Sequence, residues 1–422
     1  MNWLESKKGF LTSVTIISGV SALFRLIRIT FPSSRVFDEV YSPDFAWKFL
    51  HGESFYDVHP ILAEIPHSIG LTLFGDTPLG WRFSPWIWGI LFVWGAAYAA
   101  YLITNKRLAG VIAALLVSLD TAFFVYGRTG LPDMFLLSQL SLSIAFFFAS
   151  MRTKNMTKAY WAALLSGIFM GNNISTKWLG LAIIGSVWFW ILMNMYLAKR
   201  KKEGKFSGEV LLPNVRMAHL PIFFLLIPVL TYVFWLIPLI KWQGTWSATW
   251  ARVVWWHKSV LGYHENLTAT HPYGSKWWQW PLLLKPVLFY WNQEENGRRI
   301  INATGNVVLW WSGFAAVFLG FISLFKKFNP KILWLIVSVL IFWLPWAVIT
   351  RVSFNYHFFS PFFFEVLLLS FALTFLVEKK KYQPYVYAFL ILAAVGFIIL
   401  YPSVTGLWVS NSIKPISFIL PY

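Results

Sequence analysis

Eleven apolar runs, near residues 9–31, 83–104, 108–124, 132–150, 158–172, 176–197, 217–240, 305–325, 331–349, 355–376 and 384–402, narrow what this chain can fold into. A hydrocarbon core about 30 Å thick is crossed by about 20 helical residues, and inside it each backbone N–H and C=O must be satisfied within its own segment. The runs therefore read as an all-α polytopic membrane protein with about eleven transmembrane helices. Composition agrees, since 58% hydrophobic and only 12% charged residues, with a mean hydropathy of +0.60, cannot make an ordinary water-soluble surface. No repeat of 20–50 residues and no Gly/Ser or Pro-rich linker interrupts the pattern, so residues 1–422 are expected to form one membrane domain.

Cations orient the spans, because Lys and Arg of short loops stay on the cytoplasmic side. Lys7 and Lys8, Lys106 and Arg107, Arg152, Lys154 and Lys158, then Lys199 to Lys202 with Lys205 and Arg216, Lys326, Lys327 and Lys331, and finally Lys379 to Lys381 fall in alternate loops. This predicts a cytoplasmic amino terminus, an extracytoplasmic carboxyl terminus, and two extracytoplasmic loops at 32–82 and 241–304. The net charge of +18 is then explained by juxtamembrane clusters facing anionic lipid, and nucleic acid is not an expected partner. The absence of cysteine excludes disulfides and thiolate chemistry, and an unstapled outer loop suits a bacterial plasma membrane. Residues 9–24 resemble a signal-peptide core, but the apolar run continues to Phe31, so an uncleaved anchor is expected.

The two outer loops differ in kind. Residues 32–82 hold seven of the seventeen acidic residues, Asp38, Glu39, Asp44, Glu53, Asp57, Glu64 and Asp76, and the segments SPDFAWKFLHG and PILAEIPHSIGLTLFG within them have helical apolar spacing suited to the interface. Residues 241–304 carry Trp242, Trp246, Trp250, Trp255, Trp256, Trp277, Trp278, Trp280 and Trp291. Indoles favour headgroup depth, so this loop is expected to lie on the membrane.

Ionisable residues gather at the same side. Asp120, Arg128 and Asp133 stand at the outer ends of two spans, where they form either a structural Asp–Arg staple or a site in which Arg128 binds an anionic group and Asp133 orients it. Lys177 opens the next inward span, and Arg351, Tyr356 and His357 open a later one. Each cation taken alone could simply snorkel; their shared sidedness with Asp38–Glu39 is the stronger signal. Cations at headgroup depth opposite a carboxylate suit transfer of a sugar from a lipid phosphate. The phosphate leaves as a stabilised anion, and one carboxylate deprotonates the acceptor on the opposite face of the sugar, inverting the anomeric centre. Seven of the eight histidines also face outward, yet their spacing matches no compact metal motif, and neither a divalent metal nor another cofactor is expected.

The segments FDEVY, YDVHPILAE, LD...GRTGLPD, STKWLGL, HPYGSKWWQWP, TGNVVLWW and RVSFNYHFF resemble, in this order and across nearly the whole chain, the protein O-mannosyltransferase family with its GT-C membrane fold. The resemblance implies Asp38 as the catalytic base with Glu39 beside it, His59 in the loop that meets the donor, and Arg128 and Asp133 at the lipid phosphate. Lys177, Arg351, Tyr356 and His357 complete the expected donor site. The implied donor is a polyprenyl phosphate-linked hexose, expected to be mannose, and the implied acceptor is a Ser or Thr hydroxyl of an exported protein. The chain departs from the family pattern at Ile61, where a second Pro is usual, and at Ala63–Glu64, where Gly–Lys is usual. The loop 241–304 has no room for the β-trefoil domain of eukaryotic members, which implies a bacterial-type enzyme. Other readings of the residues are a GT-C transferase acting on a lipid, glycan or cell-wall acceptor, and a transporter or flippase.

Overall fold

The computed structural model describes residues 2–240 and 245–412; Trp242 of the tryptophan-rich loop and the carboxyl-terminal residues 413–422 lie outside the described residues. Helix α1 (Lys7–Leu26) starts where the Ser6 hydroxyl accepts a hydrogen bond from the Gly9 amide, one of the N–H groups a helix start leaves unpaired. The acidic stretch follows as a 3-10 turn at Phe37–Val40, α2 (Ser42–Leu50), a second 3-10 turn at Ile61–Ala63 and α3 (Ile65–Phe74). Both segments read as helical in this loop are helices. Next, α4 (Pro78–Thr104) begins on a Thr77 cap with proline at its first position, where the missing N–H costs nothing.

One expected span is broken in two. α5 (Arg107–Leu119) and α6 (Thr121–Tyr126) meet at Asp120, whose carboxylate accepts from the Phe123 amide (2.9 Å), the Asn306 amide (3.0 Å) and the Trp310 indole (2.8 Å). The chain continues through α7 (Asp133–Arg152), α8 (Met156–Thr176), α9 (Ala182–Lys202), α10 (Ile227–Ile240), α11 (Trp246–Asn266), α12 (Val307–Lys326), α13 (Pro330–Trp343), α14 (Phe359–Val377) and α15 (Gln383–Thr405). Among the described residues nine helical segments are long and apolar enough to cross a membrane. The other two expected spans are the broken α5–α6 pair and α8, whose polar residues turn inward: Asn173 donates to the Leu136 carbonyl (2.6 Å) and Thr176 to the Gln139 side chain (2.9 Å), both on α7.

Two helices form the centre. α7 and α14 bury 83% and 78% of their most apolar stretch, against 22% for α12, so the amino-terminal ends of α7 and α14 emerge from the middle of the bundle. An aromatic core of Phe92, Phe123, Phe359 and Phe362 with Trp310 joins α4, α6, α12 and α14, and the Trp310 and Phe362 rings stack at 4.3 Å.

A small antiparallel sheet is added to the helical frame. β1 (Val287–Gln293) pairs with β2 (Gly297–Ala303), and β2 with β3 (Trp408–Ser410), in the order β1-β2-β3. The available sequence signal was the Asn296–Gly297 dipeptide, which favours a hairpin turn, following the strand-forming run VLFYW. In the same loop α11 divides its indoles: Trp256 is buried with Val260 against Leu236 and Ile240 of α10, whereas Trp246, Trp250 and Trp255 are exposed.

Candidate active site

Adjacent acids in the first 3-10 turn have separate surroundings. Glu39 is fully buried, and its two oxygens accept four hydrogen bonds: from Arg82 Nε and Nη2 (both 2.8 Å), from the Gly130 amide (2.6 Å) and from the Val36 amide (3.0 Å). Arg82, in the first turn of α4, spends its remaining donors on the carbonyls of Ile29, Pro32 and Ser34. This is a closed set, in which every guanidinium N–H is used. Gly130 is closely packed here: a Cβ would lie 3.0 Å from the Trp81 carbonyl and 3.1 Å from Pro43. Glu39, expected with Asp38 in the catalytic pair, has its lone pairs taken by these four donors, and they fasten the turn.

The other flank of the turn is fastened by Phe37, whose ring stacks on Phe289 of β1 at 5.0 Å and meets the edges of Phe354 and Tyr356. Asp38 stands between these two anchors and lies within electrostatic reach of Lys177 and Asp133. Burial pushes its carboxyl up to about 6, with Asp133 adding to the rise and Lys177 opposing it. At neutral pH it is ionised and basic enough to take a proton.

Lys177 and Asp133 line a cavity of about 790 Å³ together with Val58, His59, His264, Arg351, Tyr356 and His357; Asp38 itself is not in the lining and is linked to it through Lys177 and Asp133. Lys177, at the end of α8, reaches Asp133 Oδ1 at 2.8 Å and sits 5.1 Å from the centre of the Tyr356 ring. Asp133 begins α7 and Tyr356 lies in the 3-10 turn Asn355–Phe358 that leads into α14, so the two central helices deliver both residues to one place. Arg351 enters from the α13–α14 connection, its guanidinium 5.6 Å from the Trp346 ring, and burial lowers its pKa from the usual value. Burial also holds the His59 imidazole well below its usual pKa, and that of His264 down to about 4, so both are neutral at pH 7. His357 is fixed by the Phe354 amide, which donates to its Nδ1 at 3.1 Å, and by the Trp346 ring at 4.0 Å.

The structure thus brings His59, Asp133, Lys177, Arg351, Tyr356 and His357 to one cavity and sets Asp38 beside Lys177 and Asp133. It does not bring Arg128 there. The turn after α6 sends that guanidinium back toward the end of α1, where Nη2 donates to the Arg28 carbonyl at 2.6 Å, and the residue is 3% exposed and absent from the cavity lining. Nor is there an Asp–Arg staple: Asp133 pairs with Lys177, and Asp120 pins α6 to the start of α12. Residues missed from sequence are Arg82, which reads as an unremarkable charge at the mouth of a span, and His264 with Trp346, which no local motif announces.

Comparison with known proteins bears on the whole chain. The family model described as dolichyl-phosphate-mannose-protein mannosyltransferase matches residues 15–81 and 67–241, and that described as the C-terminal four TMM region of protein-O-mannosyltransferase matches residues 249–416. The polyprenol-phosphate-mannose–protein mannosyltransferase of Mycobacterium tuberculosis is 23% identical over 494 aligned positions, covering 99% of this chain and 92% of the relative. Its Mycolicibacterium smegmatis counterpart is 26% identical over 340 positions, covering 65% of this chain and 63% of the relative, just under two thirds of that protein's length. Among solved structures, the Saccharomyces cerevisiae protein O-mannosyltransferase Pmt1-Pmt2 complex bound to the sugar donor matches with a TM-score of 0.78 at 14% identity, over 94% of this chain and 90% of that one. ArnT from Cupriavidus metallidurans bound to undecaprenyl phosphate matches with a TM-score of 0.60 at 13% identity, over 95% and 75% of the two chains. These likenesses establish the GT-C fold, and the protein is an integral membrane protein.

Proposed function

The chain belongs to the dolichyl-phosphate-mannose-protein mannosyltransferase family, and on that premise we propose that it is an inverting glycosyltransferase that moves mannose from a polyprenyl phosphate to Ser or Thr hydroxyls of exported proteins. The observation that supports the reading is Asp38, a carboxylate in a turn fastened by Glu39 and Phe37 and within electrostatic reach of Lys177, which lines the cavity.

Asp38 accepts the acceptor's hydroxyl proton as that oxygen bonds to the anomeric carbon. The bond from that carbon to the phosphate oxygen breaks, and its electron pair leaves with the phosphate. Lys177 and Arg351 stabilise the departing anion, a role that passes to them from Arg128, and the amino-terminal ends of α7 and α14 add their positive dipole ends. With a single base attacking from the face opposite the leaving group, the anomeric configuration inverts. His59, Tyr356 and His357 contact the donor, and Asp133 orients Lys177. No divalent ion is required.

The alternation of Lys and Arg clusters supports a bacterial plasma-membrane orientation, with the amino terminus cytoplasmic and with the carboxyl terminus and the active site extracytoplasmic. The whole chain acts as one GT-C membrane domain. The test is transfer of radiolabelled mannose from polyprenyl-phosphate-mannose to a Ser/Thr-rich peptide by the purified protein in EDTA-containing buffer. Label in protease-sensitive product is the expected result. Label confined to an organic extract would overturn the protein acceptor, and loss of transfer on chelation would overturn the metal-free mechanism.

A further inference from the structure

Two carboxyl groups beside the cavity have no place in the chemistry just described. Asp57 and Glu64 are 4% and 1% exposed, and they lie within hydrogen-bonding reach of each other. Asp57 Oδ2 and Glu64 Oε2 are buried and receive no donor. Two carboxylates so placed repel, with no water to screen them; with one proton between them the same contact becomes a strong hydrogen bond. The groups facing the pair are few. Lys177 approaches from the end of α8, the Ser42 hydroxyl from the start of α2 meets Glu64, the amides of Val58 and His59 meet Asp57, and the Tyr56 phenol stands beside Asp57. Burial outweighs the pull of Lys177, and both carboxyls are pushed upward from the usual range.

The position of the pair gives that proton a consequence. Asp57 Oδ1 accepts from the His59 amide at 2.9 Å, and Val58 and His59 line the cavity. On its other side Glu64 reaches Ser42, four residues beyond Asp38 and continuous with the same turn. One carboxyl contact therefore joins the segment that carries His59 to the segment that carries Asp38.

We propose that Asp57 and Glu64 share one proton and act as a positioning clamp, holding the His59 segment against the Asp38 turn so that the donor is bound tightly only while the proton is in place. This rests on the donor-site reading above. The clamp is present below the pH at which the folded pair loses its proton and is lost as pH rises through it.

The test is the donor KM between pH 6 and 9 for the full chain and for Glu64→Gln and Glu64→Ala, with thermal unfolding as a check that each variant is folded. In the wild type the donor KM rises on the alkaline side. Glu64→Gln, whose amide supplies an N–H to Asp57 at any pH, keeps the low-pH KM and abolishes the rise. Glu64→Ala gives a flat, raised donor KM, about tenfold above the wild type at pH 6 and meeting it on the alkaline side, with a smaller effect on kcat, the pattern of lost donor binding. A flat wild-type profile, a Glu64→Gln profile that still rises, or a Glu64→Ala KM equal to that of the wild type at pH 6 would each overturn the clamp. Absence of any sugar transfer by the wild type would instead overturn the reading on which it rests, so the two failures are distinguishable.

Discussion

Asp38 and Glu39 follow one another in the chain, and the donors around them set their different chemistry. Glu39 is surrounded by four N–H groups that leave it no free lone pair, whereas Asp38 is desolvated beside a lysine and keeps a carboxyl near pH 6. Since the base must be ionised to act, kcat at saturating donor is expected to fall as pH drops through about 6 and to level off above it. A profile that stays flat from pH 5 to 8 would contradict Asp38 as the group that titrates. At this scale the sequence was informative where charge alone decides. Asp38, Lys177 and Arg351 share a membrane side because the alternation of apolar runs puts them there. It was uninformative where the path of a guanidinium decides. Arg82 and Arg128 both stand near the ends of apolar runs, and only the turns after α1 and α6 determine that the first grips Glu39 while the second bonds the Arg28 carbonyl.

Among the elements, α7 and α14 matter most, being the most buried of the candidate membrane spans among the described residues and the ones that start at the cavity. Asp120 holds the neighbouring frame by joining the break between α5 and α6 to the first turn of α12. Asp120→Ala removes the acceptor from three buried donors at once, two of them on α12 and the residue before it. It is expected to lower stability by about 3 kcal/mol, the scale of leaving buried donors unpaired. Hydrogen exchange should locate the loosening at residues 121–126 and 304–310; unchanged stability and protection there would contradict the anchoring role. Helices were legible because runs of apolar residues near 20 long have few alternatives. The three-stranded sheet was not, since its aromatic strands share a composition with membrane-surface segments and its third strand comes from beyond α15. The Asp120 break was likewise hidden, because its reason lies nearly two hundred residues away at Asn306 and Trp310.

At the scale of the whole molecule, the proposal is a bundle with all its reactive groups at one side of a membrane. The chain has no cysteine, so single cysteines can be introduced without background. A cysteine at Glu53 should be labelled by an impermeant maleimide in intact cells, and one at Lys327 only after the membrane is opened; the reverse pattern would invert the proposed orientation. The central claim, that one carboxylate drives transfer while others hold it in position, is tested most directly by Asp38→Asn, which keeps size and loses the base. Measured side by side, mannose transfer should fall by about a thousandfold, within the range expected for losing a general base, while donor binding and thermal stability stay close to wild type. Transfer retained at the wild-type rate in that variant would contradict the account.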